Sequence, residues 1–323
     1  MKSNLRNGLL AGGALLGLGS AAAVASAMLY KQTLPRPKGV SADIVNEFAD
    51  PAKFEEYAVK MQPLMDWLKQ QKLEDVFITS NDHLRLHAFY LPSEKPCGKL
   101  VILHHGYTSS AMDNGAHVKF FHELGYEVLL LDLRAHGQSE GEYVGFGILD
   151  RFDTLNWVHW ARERFGEQIK IVLHGTSMGG ATVLMALGLE EIQKEVSAVI
   201  ADCAYTSPAA IFSHVMKYQY HVPVTEPIIA LNGMVSKPRA GYTYSDYSTL
   251  DALKENEVPV LLIHGKEDKF VPTWMSQENY DACHSKKKLL LVDHAGHGSS
   301  LFEDPELYQK TEKEFLDEVF QEQ

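Results

Sequence analysis

The chain has 323 residues, of which 45% are hydrophobic and 22% are charged, and its formal net charge is -12. This composition is typical of a folded globular protein, and one α/β domain can use most of such a length. The acidic balance argues against a nucleic-acid-binding protein, which normally needs a basic face.

The N-terminus differs in composition from the remainder. Residues 8–30 carry no charge and are rich in Ala, Gly and Leu, and they follow Lys2 and Arg6. Because a membrane span takes roughly 20 residues, we predict a membrane anchor over 1–33, with the folded domain on the extracytoplasmic side. The alternative is a secretory signal peptide cleaved at the Ala-Ser-Ala sequence of residues 25–27, which would release a secreted protein.

The three cysteines do not indicate a disulfide framework. Cys97, Cys203 and Cys283 are an odd number and have no motif spacing. Cys203 lies within an apolar run, so we expect it to be reduced and buried.

Residues 34–74 are predicted to form a short linker and a leading helical segment, and the main domain is predicted over 75–323. It begins with a strand pair, 76–79 and 84–90. Strands and helices then alternate. The further predicted strands are 100–103, 127–131, 169–173, 196–201, 258–263 and 288–292, and the predicted helices are 111–124, 148–165, 179–193, 272–284 and 305–320. Short apolar strands separated by helices predict a doubly wound, mostly parallel sheet covered on both faces. Functional sites in such sheets lie beyond the carboxyl ends of the strands.

One motif places Ser177 in the pentapeptide GTSMG at residues 175–179. A predicted strand precedes it and a predicted helix follows it, which is the context of a nucleophile elbow. The two glycines allow the strand and the helix to approach closely around a strained turn. The hydroxyl would then lie at a helix N-terminus, where the helix dipole favours developing negative charge. Ser177 is therefore the predicted nucleophile.

A serine nucleophile needs a base, because a free hydroxyl reacts poorly near neutral pH. The chain has fifteen histidines, so position must select one. His297 follows the last predicted strand in a loop flanked by glycines and is the predicted base. His294 is the local alternative.

The base in turn needs an acid that orients the imidazole and stabilises the imidazolium. Asp268 follows the predicted strand 258–263 and is the predicted acid. The alternatives are its neighbour Glu267 and Asp202, which ends the preceding strand.

Acyl transfer also needs hydrogen-bond donors aimed at the developing oxyanion. The backbone N–H of Met178, which follows the nucleophile, is one predicted donor. The backbone N–H of Tyr107 is the other, because Gly106 allows the loop after strand 100–103 to turn sharply. The alternative is that this loop is only a strand-to-helix turn.

Taken together, these motifs resemble the α/β-hydrolase superfamily. Five features of that superfamily occur here in the same order along the chain as they do there. In this order the nucleophile comes first, the acid second and the base third. The five features are His105-Gly106, the loop 132–139, the pentapeptide 175–179, His264-Gly265 with Asp268, and Gly296-His297. In detail the chain looks like membrane-tethered, uncharacterised serine hydrolases of Gram-positive bacteria, in the serine aminopeptidase-like branch.

The resemblance implies a Ser177–His297–Asp268 triad and no cofactor. It gives the loop 132–139 a structural role through an internal salt bridge and a turn, and it suggests that residues 205–257 form a small cap. The scattered histidines lack the ligand spacing of a zinc enzyme, so we predict no metal.

The cap segment is rich in tyrosine, and Tyr205 and Phe212 are predicted to line a pocket for a hydrophobic acyl group. We therefore predict a serine hydrolase acting on a carboxylic ester of a small molecule. Peptidase, aminopeptidase, thioesterase and acyltransferase activities remain open, as does a non-catalytic binding protein on the same fold. The sequence leaves the oligomeric state undetermined.

Overall fold

The computed structural model describes residues 22–37 and 51–322, with the side chains of 51–54 left aside. Much of the predicted anchor, residues 1–21, lies outside this range, and its remainder forms a helix over 22–33 (α1). Among the described helices, none combines the length and the apolar character that crossing a bilayer requires. The anchor therefore stays a prediction.

The molecule is built around an eight-stranded sheet with the spatial order β1-β2-β4-β3-β5-β6-β7-β8. The strands are β1 Glu74–Thr79, β2 Arg85–Leu91, β3 Lys99–His104, β4 Glu127–Asp132, β5 Lys170–Thr176, β6 Val196–Asp202, β7 Val260–Gly265 and β8 Lys287–Val292. The strand β2 pairs antiparallel with β1 and β4, and all other neighbours are parallel. The predicted mostly parallel sheet is confirmed.

Helices cover both faces of this sheet. They are α2 Pro51–Lys69, α3 Gly115–Glu123, α4 Asp150–Phe165, α5 Met178–Ala186, α6 Glu190–Glu195, α7 Pro208–Tyr218, α8 Glu226–Ala240, α9 Thr249–Leu253, α10 Trp274–Ala282, α11 Ser300–Glu303 and α12 Pro305–Glu322. Successive side chains of a strand point to opposite faces of the sheet. The side chains of β5 therefore contribute to two separate layers of the core. Ile171 and Leu173 pack with Trp157 on one face, whereas Val172 packs with Phe121 and Phe315 on the other.

The predicted helix over 179–193 is interrupted in the structure. The chain leaves α5 after Ala186 and starts α6 at Glu190. Gly188 lies between the two helices, and a Cβ there would overlap the hydroxyl of Tyr247. Helical spacing of apolar residues continues across this break, so periodicity alone did not reveal it.

The segment 205–257, predicted as a cap, contains α7, α8 and α9. The helix α1 packs beside α8, where the Asn232 side chain donates to the carbonyl of Ser26 at 3.4 Å. Directly after α1, Leu34 is completely buried in the core, and the backbone N–H of Val144 donates to its carbonyl at 2.9 Å. The end of the N-terminal segment is thus part of the folded domain.

The loop after β4 holds a buried ion pair. Arg134 contacts Asp153 at 2.6 Å, where both side chains are almost inaccessible, and it contacts the half-exposed Asp82 at 2.9 Å. Asp132 accepts hydrogen bonds from the backbone N–H groups of Ala111 and Gln138. These contacts hold the loop in shape beside the ends of the central strands.

We expect Arg134→Met to lower the free energy of unfolding by about 3–5 kcal/mol, because it leaves the Asp153 carboxylate buried without its partner. The matched control is Arg164→Met, which removes the half-exposed pair with Glu74 at 2.8 Å and should cost less than about 1 kcal/mol. Urea unfolding of the two variants checks the difference. Equal losses would contradict a structural role for the buried pair.

Candidate active site

Ser177 stands in the turn between β5 and α5 with a strained backbone, φ 57° and ψ −114°. Its N–H donates to the carbonyl of Asp202 at 2.8 Å, which ties the turn to the end of β6. A Cβ at Gly175 would overlap the carbonyl of Gly179, and one at Gly179 would overlap the carbonyl of His104. Larger residues at 175 and 179 would push strand and helix apart, so these glycines permit the positive φ that presents the serine hydroxyl.

Three side chains that are distant in sequence meet at this turn. His297 Nε2 lies 2.9 Å from Ser177 Oγ, and His297 Nδ1 lies 2.7 Å from Asp268 Oδ2. Because a carboxylate can only accept, Nδ1 carries the proton of the neutral imidazole, whose Nε2 can then accept from the serine hydroxyl. The arrangement has the geometry of a nucleophile, a general base and an orienting acid.

Asp268 is held ionised by the donors around it. Phe270 and Val271 donate their backbone N–H groups to its Oδ1, each at 2.9 Å. Burial alone would raise the pKa of Asp268, but the adjacent His297 and the hydrogen bonds from His264 and His297 outweigh it and lower that pKa to about 2. The acid therefore carries a full negative charge near neutral pH.

That charge acts on the base. Burial lowers the pKa of His297, but the Asp268 carboxylate overcomes this effect and places the pKa well above the ordinary 6.5. Cys203 also adjoins the ring. Burial raises the pKa of its thiol to about 11, so it is uncharged near neutral pH. Asp268 is thus the neighbouring charge that raises the pKa of His297.

The alternatives from the sequence lie elsewhere. His294 is 76% exposed at its side chain and faces Glu267, with 3.1 Å between Nδ1 and Oε1. Asp202 is buried at the end of β6, where it accepts a hydrogen bond from the Tyr308 hydroxyl at 3.2 Å. Neither acidic alternative has the short contact to His297 that Asp268 makes.

Met178, one predicted oxyanion donor, directly follows Ser177, and the loop that carries the other, Tyr107, lies near it. Met178 is the first residue of α5, where a backbone N–H has no acceptor within the helix. The loop carrying Tyr107 passes close by, since a Cβ at Gly106 would lie 3.5 Å from Ser177 Cβ. The Tyr107 hydroxyl donates to the carbonyls of Gln32 and Thr33 at the end of α1. These bonds orient the loop beside the nucleophile.

The two predicted pocket residues have different environments. Tyr205 is buried in the core, where its hydroxyl donates to the carbonyl of Phe146 at 3.0 Å. Phe212 is only partly buried, and its ring centroid lies 5.1 Å from that of Phe146 and 4.6 Å from that of Tyr244. The ring of Tyr107 stands 5.3 Å from Phe146. An aromatic cluster thus extends from the Tyr107 loop to α7.

His264 and Cys203 were not among the predicted site residues. His264 Nε2 lies 3.1 Å from Asp268 Oδ2 and 2.8 Å from the Val271 carbonyl, both acceptors, so this nitrogen carries the proton. Its Nδ1 then accepts from the Ser276 hydroxyl at 2.6 Å. The position of His264 at the end of β7, next to the strand that precedes the base, is the signal that could have identified it as a support for Asp268.

Two groups of potential metal ligands occur in the described part of the chain. The first consists of Cys203, Asp268 and His297. Asp268 and His297 already have hydrogen-bond partners through the contacts described above. The second, His117, His174 and Glu312, lies on the sheet face covered by α3 and α12.

The sheet order and the serine turn are those of the α/β-hydrolase fold, and a sequence profile of that fold matches residues 99–226. In fold and in sequence, the chain is similar to the α/β-hydrolase superfamily. Its structure aligns with an esterase from Pyrococcus furiosus, Pf2001, at a TM-score of 0.65 and 25% identity, covering 90% of this chain and 98% of the other. An esterase from Exiguobacterium antarcticum aligns at a TM-score of 0.57 and 17% identity, covering 76% of this chain and 100% of the other, which supports the fold alone.

Relatives are also found by sequence. The uncharacterised protein YqkD of Bacillus subtilis is 28% identical over 219 residues, which are 68% of this chain and 71% of YqkD. The α/β-hydrolase domain-containing protein WAV2 of Arabidopsis thaliana is 27% identical over 256 residues, covering 76% of this chain and 78% of WAV2. The similarity extends over most of each relative.

The buried Asp202 predicts a pH dependence of stability. Burial raises the pKa of Asp202 to about 7 from an ordinary 3.8, and its Oδ1 has no hydrogen-bond partner among the described residues. Between these two pH values the folded state holds a proton that the unfolded state releases, so this group's contribution to stability is lost as pH rises. We expect Asp202→Asn to raise the melting temperature, relative to wild type, by at least about 4 °C more at pH 8 than at pH 4.

Thermal unfolding at the two pH values measures this difference. Asp251→Asn serves as the control, because Asp251 is about half exposed and its pKa is lowered by Ser248 and Lys254. A gain for Asp202→Asn that does not depend on pH would mean that the carboxyl group is ionised in the folded protein throughout.

Proposed function

We propose that this protein is a serine hydrolase that cleaves carboxylic esters of small molecules through an acyl-enzyme. The observation that carries the proposal is the unbroken chain of contacts from Ser177 Oγ through His297 to Asp268, at 2.9 and 2.7 Å. The similarity to the Pyrococcus furiosus esterase Pf2001, at 25% identity over 90% of this chain, supports the same chemistry.

In the first half-reaction, Ser177 Oγ attacks the ester carbonyl carbon while His297 Nε2 takes the hydroxyl proton. Asp268 stabilises the imidazolium that forms. The tetrahedral oxyanion accepts hydrogen bonds from the N–H groups of Met178 and Tyr107. When the intermediate collapses, the alcohol leaves with the proton from His297. Water, activated by the same imidazole, then attacks the acyl-enzyme, releases the acid and restores Ser177.

The aromatic cluster around Phe212 supports a hydrophobic acyl group as the substrate part bound in the pocket. Tyr107, Phe146, Phe212 and Tyr244 form a continuous series of ring contacts beginning beside the predicted oxyanion hole. Aromatic rings offer a large apolar area with few rotatable bonds. An aliphatic or aromatic acyl chain that is attached to Ser177 and extends in this direction would pack against these rings.

A fluorophosphonate probe tests for the nucleophile. We expect the intact protein to be labelled and Ser177→Ala to be unlabelled, with ester hydrolysis reduced by at least about a thousandfold. The control Ser213→Ala removes a hydroxyl on α7 that contacts Thr225 and should keep full labelling. If the intact, folded protein is not labelled, the proposal of a serine hydrolase is contradicted, and a non-catalytic binding role on this fold gains support.

The pH profile tests the acid–base pair. Because Asp268 raises the pKa of His297, we expect kcat/KM for an ester to fall on the acid side with an apparent pKa above 6.5. In Asp268→Asn the imidazolium loses its partner, so the residual activity should extend to lower pH, at a rate reduced by roughly a thousandfold or more. An acid limb that does not move would exclude Asp268 as the partner of the base.

A panel of p-nitrophenyl esters of graded chain length, aminoacyl anilides and acyl thioesters tests the substrate class. We expect ester cleavage to dominate, and Phe212→Ala to lower kcat/KM for long acyl chains by about tenfold more than for acetate. The matched control is Tyr218→Ala on the same helix, where the side chain is 72% exposed. Preferential cleavage of anilides would instead make the protein a peptidase, and preferential cleavage of thioesters a thioesterase.

A further inference from the structure

Three potential metal ligands converge beneath the sheet at a place that the proposed reaction does not use. His117 lies on α3, His174 on β5 and Glu312 on α12. One ligand atom from each side chain lies within 4.8 Å of the other two. The three side chains meet because α3 and α12 cover the face of the sheet to which His174 points.

Hydrogen bonds leave this cluster incompletely satisfied. His174 Nε2 lies 2.9 Å from Glu312 Oε1, and both side chains are fully buried. Glu312 Oε2 and His117 Nδ1 are also buried, and neither has a hydrogen-bond partner within residues 22–37 and 51–322. A buried polar atom without a partner costs about 1–3 kcal/mol, and more when it belongs to a charged group. Two such atoms at one point indicate that a ligand completes the cluster.

The donor set defines the chemistry of that ligand. Two imidazole nitrogens and one carboxylate oxygen are a common ligand set for Zn²⁺, which binds them at about 2.0–2.2 Å. A divalent cation would also compensate the charge of the Glu312 carboxylate, whose side chain is completely buried. Hard cations such as Mg²⁺ and Ca²⁺ prefer sites made of oxygen atoms, so the two histidines argue against them.

We propose that His117, His174 and Glu312 bind a Zn²⁺ ion that joins α3, the nucleophile strand β5 and the C-terminal helix α12. His117 is the only partly exposed member of the cluster, so the ion enters from its side, and a water molecule completes a tetrahedral shell there. None of its ligands belongs to the proposed triad, so the role of the ion is to fix both covering helices to β5, the strand that ends in the serine turn.

The test uses the full-length chain, purified without a polyhistidine tag and dialysed against a chelator. Zn²⁺ alone is then added, and the bound metal is measured by mass spectrometry after gel filtration. We expect about one tightly bound ion per chain and a clear rise in melting temperature, because a ligand that binds only the folded state stabilises it. Glu312→Gln and His117→Gln keep the side-chain volume and should weaken binding by more than about tenfold, since even losing an outer partner of a metal site costs that much.

The matched control is His122→Gln on the same helix. His122 Nδ1 is likewise buried without a partner, but it is not part of the cluster, so this variant should bind zinc as wild type does. If Glu312→Gln fails to fold, as judged by circular dichroism, the variant at the partly exposed His117 decides. Fluorophosphonate labelling is recorded separately. If the protein binds no added zinc but is still labelled by the probe, only the zinc site is overturned and the proposed function stands.

Zinc binding at the other ligand group is the competing outcome, and a further variant separates the two sites. Binding that persists in Glu312→Gln and His117→Gln but is lost in Cys203→Ala would place the ion at Cys203, Asp268 and His297 and would overturn the proposal. Equal and weak binding by wild type and all variants would overturn it too. It would show that Glu312 remains protonated and simply hydrogen-bonds His174.

Discussion

The close approach of three backbone segments around Ser177 is the constraint on which the site depends. The strand β5, the helix α5 and the end of β3 come so near at Gly175 and Gly179 that no side chain fits between them. A serine at φ 57° is unfavourable by itself. Because the sheet and the helix are each fixed by a large apolar layer, the core holds the turn in place and provides the free energy that keeps the hydroxyl exposed to the imidazole.

The same principle of close backbone contact brings the acid and the base together. At the end of β7, a Cβ at Gly265 would overlap the carbonyl of Ala295, so the Asp268 and His297 loops lie directly against each other. The backbone N–H of Glu267 donates to the Ala295 carbonyl at 2.9 Å. The loops after two adjacent parallel strands thus hold the Asp268 and His297 side chains close together with little freedom.

The strand and helix alternation was predictable because parallel strands buried on both faces read as short apolar runs. Ser177, Asp268 and His297 were predictable as candidates because each follows such a run. The interruption at Gly188 was not, since the contact between this residue and the Tyr247 hydroxyl joins parts of the chain that are distant in sequence. The cluster of His117, His174 and Glu312 was invisible for the same reason: its members come from three separate elements, and no short spacing joins them.

The hydrogen bonds of the Tyr107 hydroxyl limit how far the N-terminus can be shortened. The two acceptors of this hydroxyl, Gln32 and Thr33, belong to the last turn of α1, and Thr33 also contacts the Tyr244 hydroxyl at 2.7 Å. A shortened version starting after residue 33 would lose all three bonds and uncover part of the core around Leu34. Cleavage near residue 27 would keep them. The choice of starting residue therefore decides whether a truncated preparation retains the contacts of the Tyr107 loop.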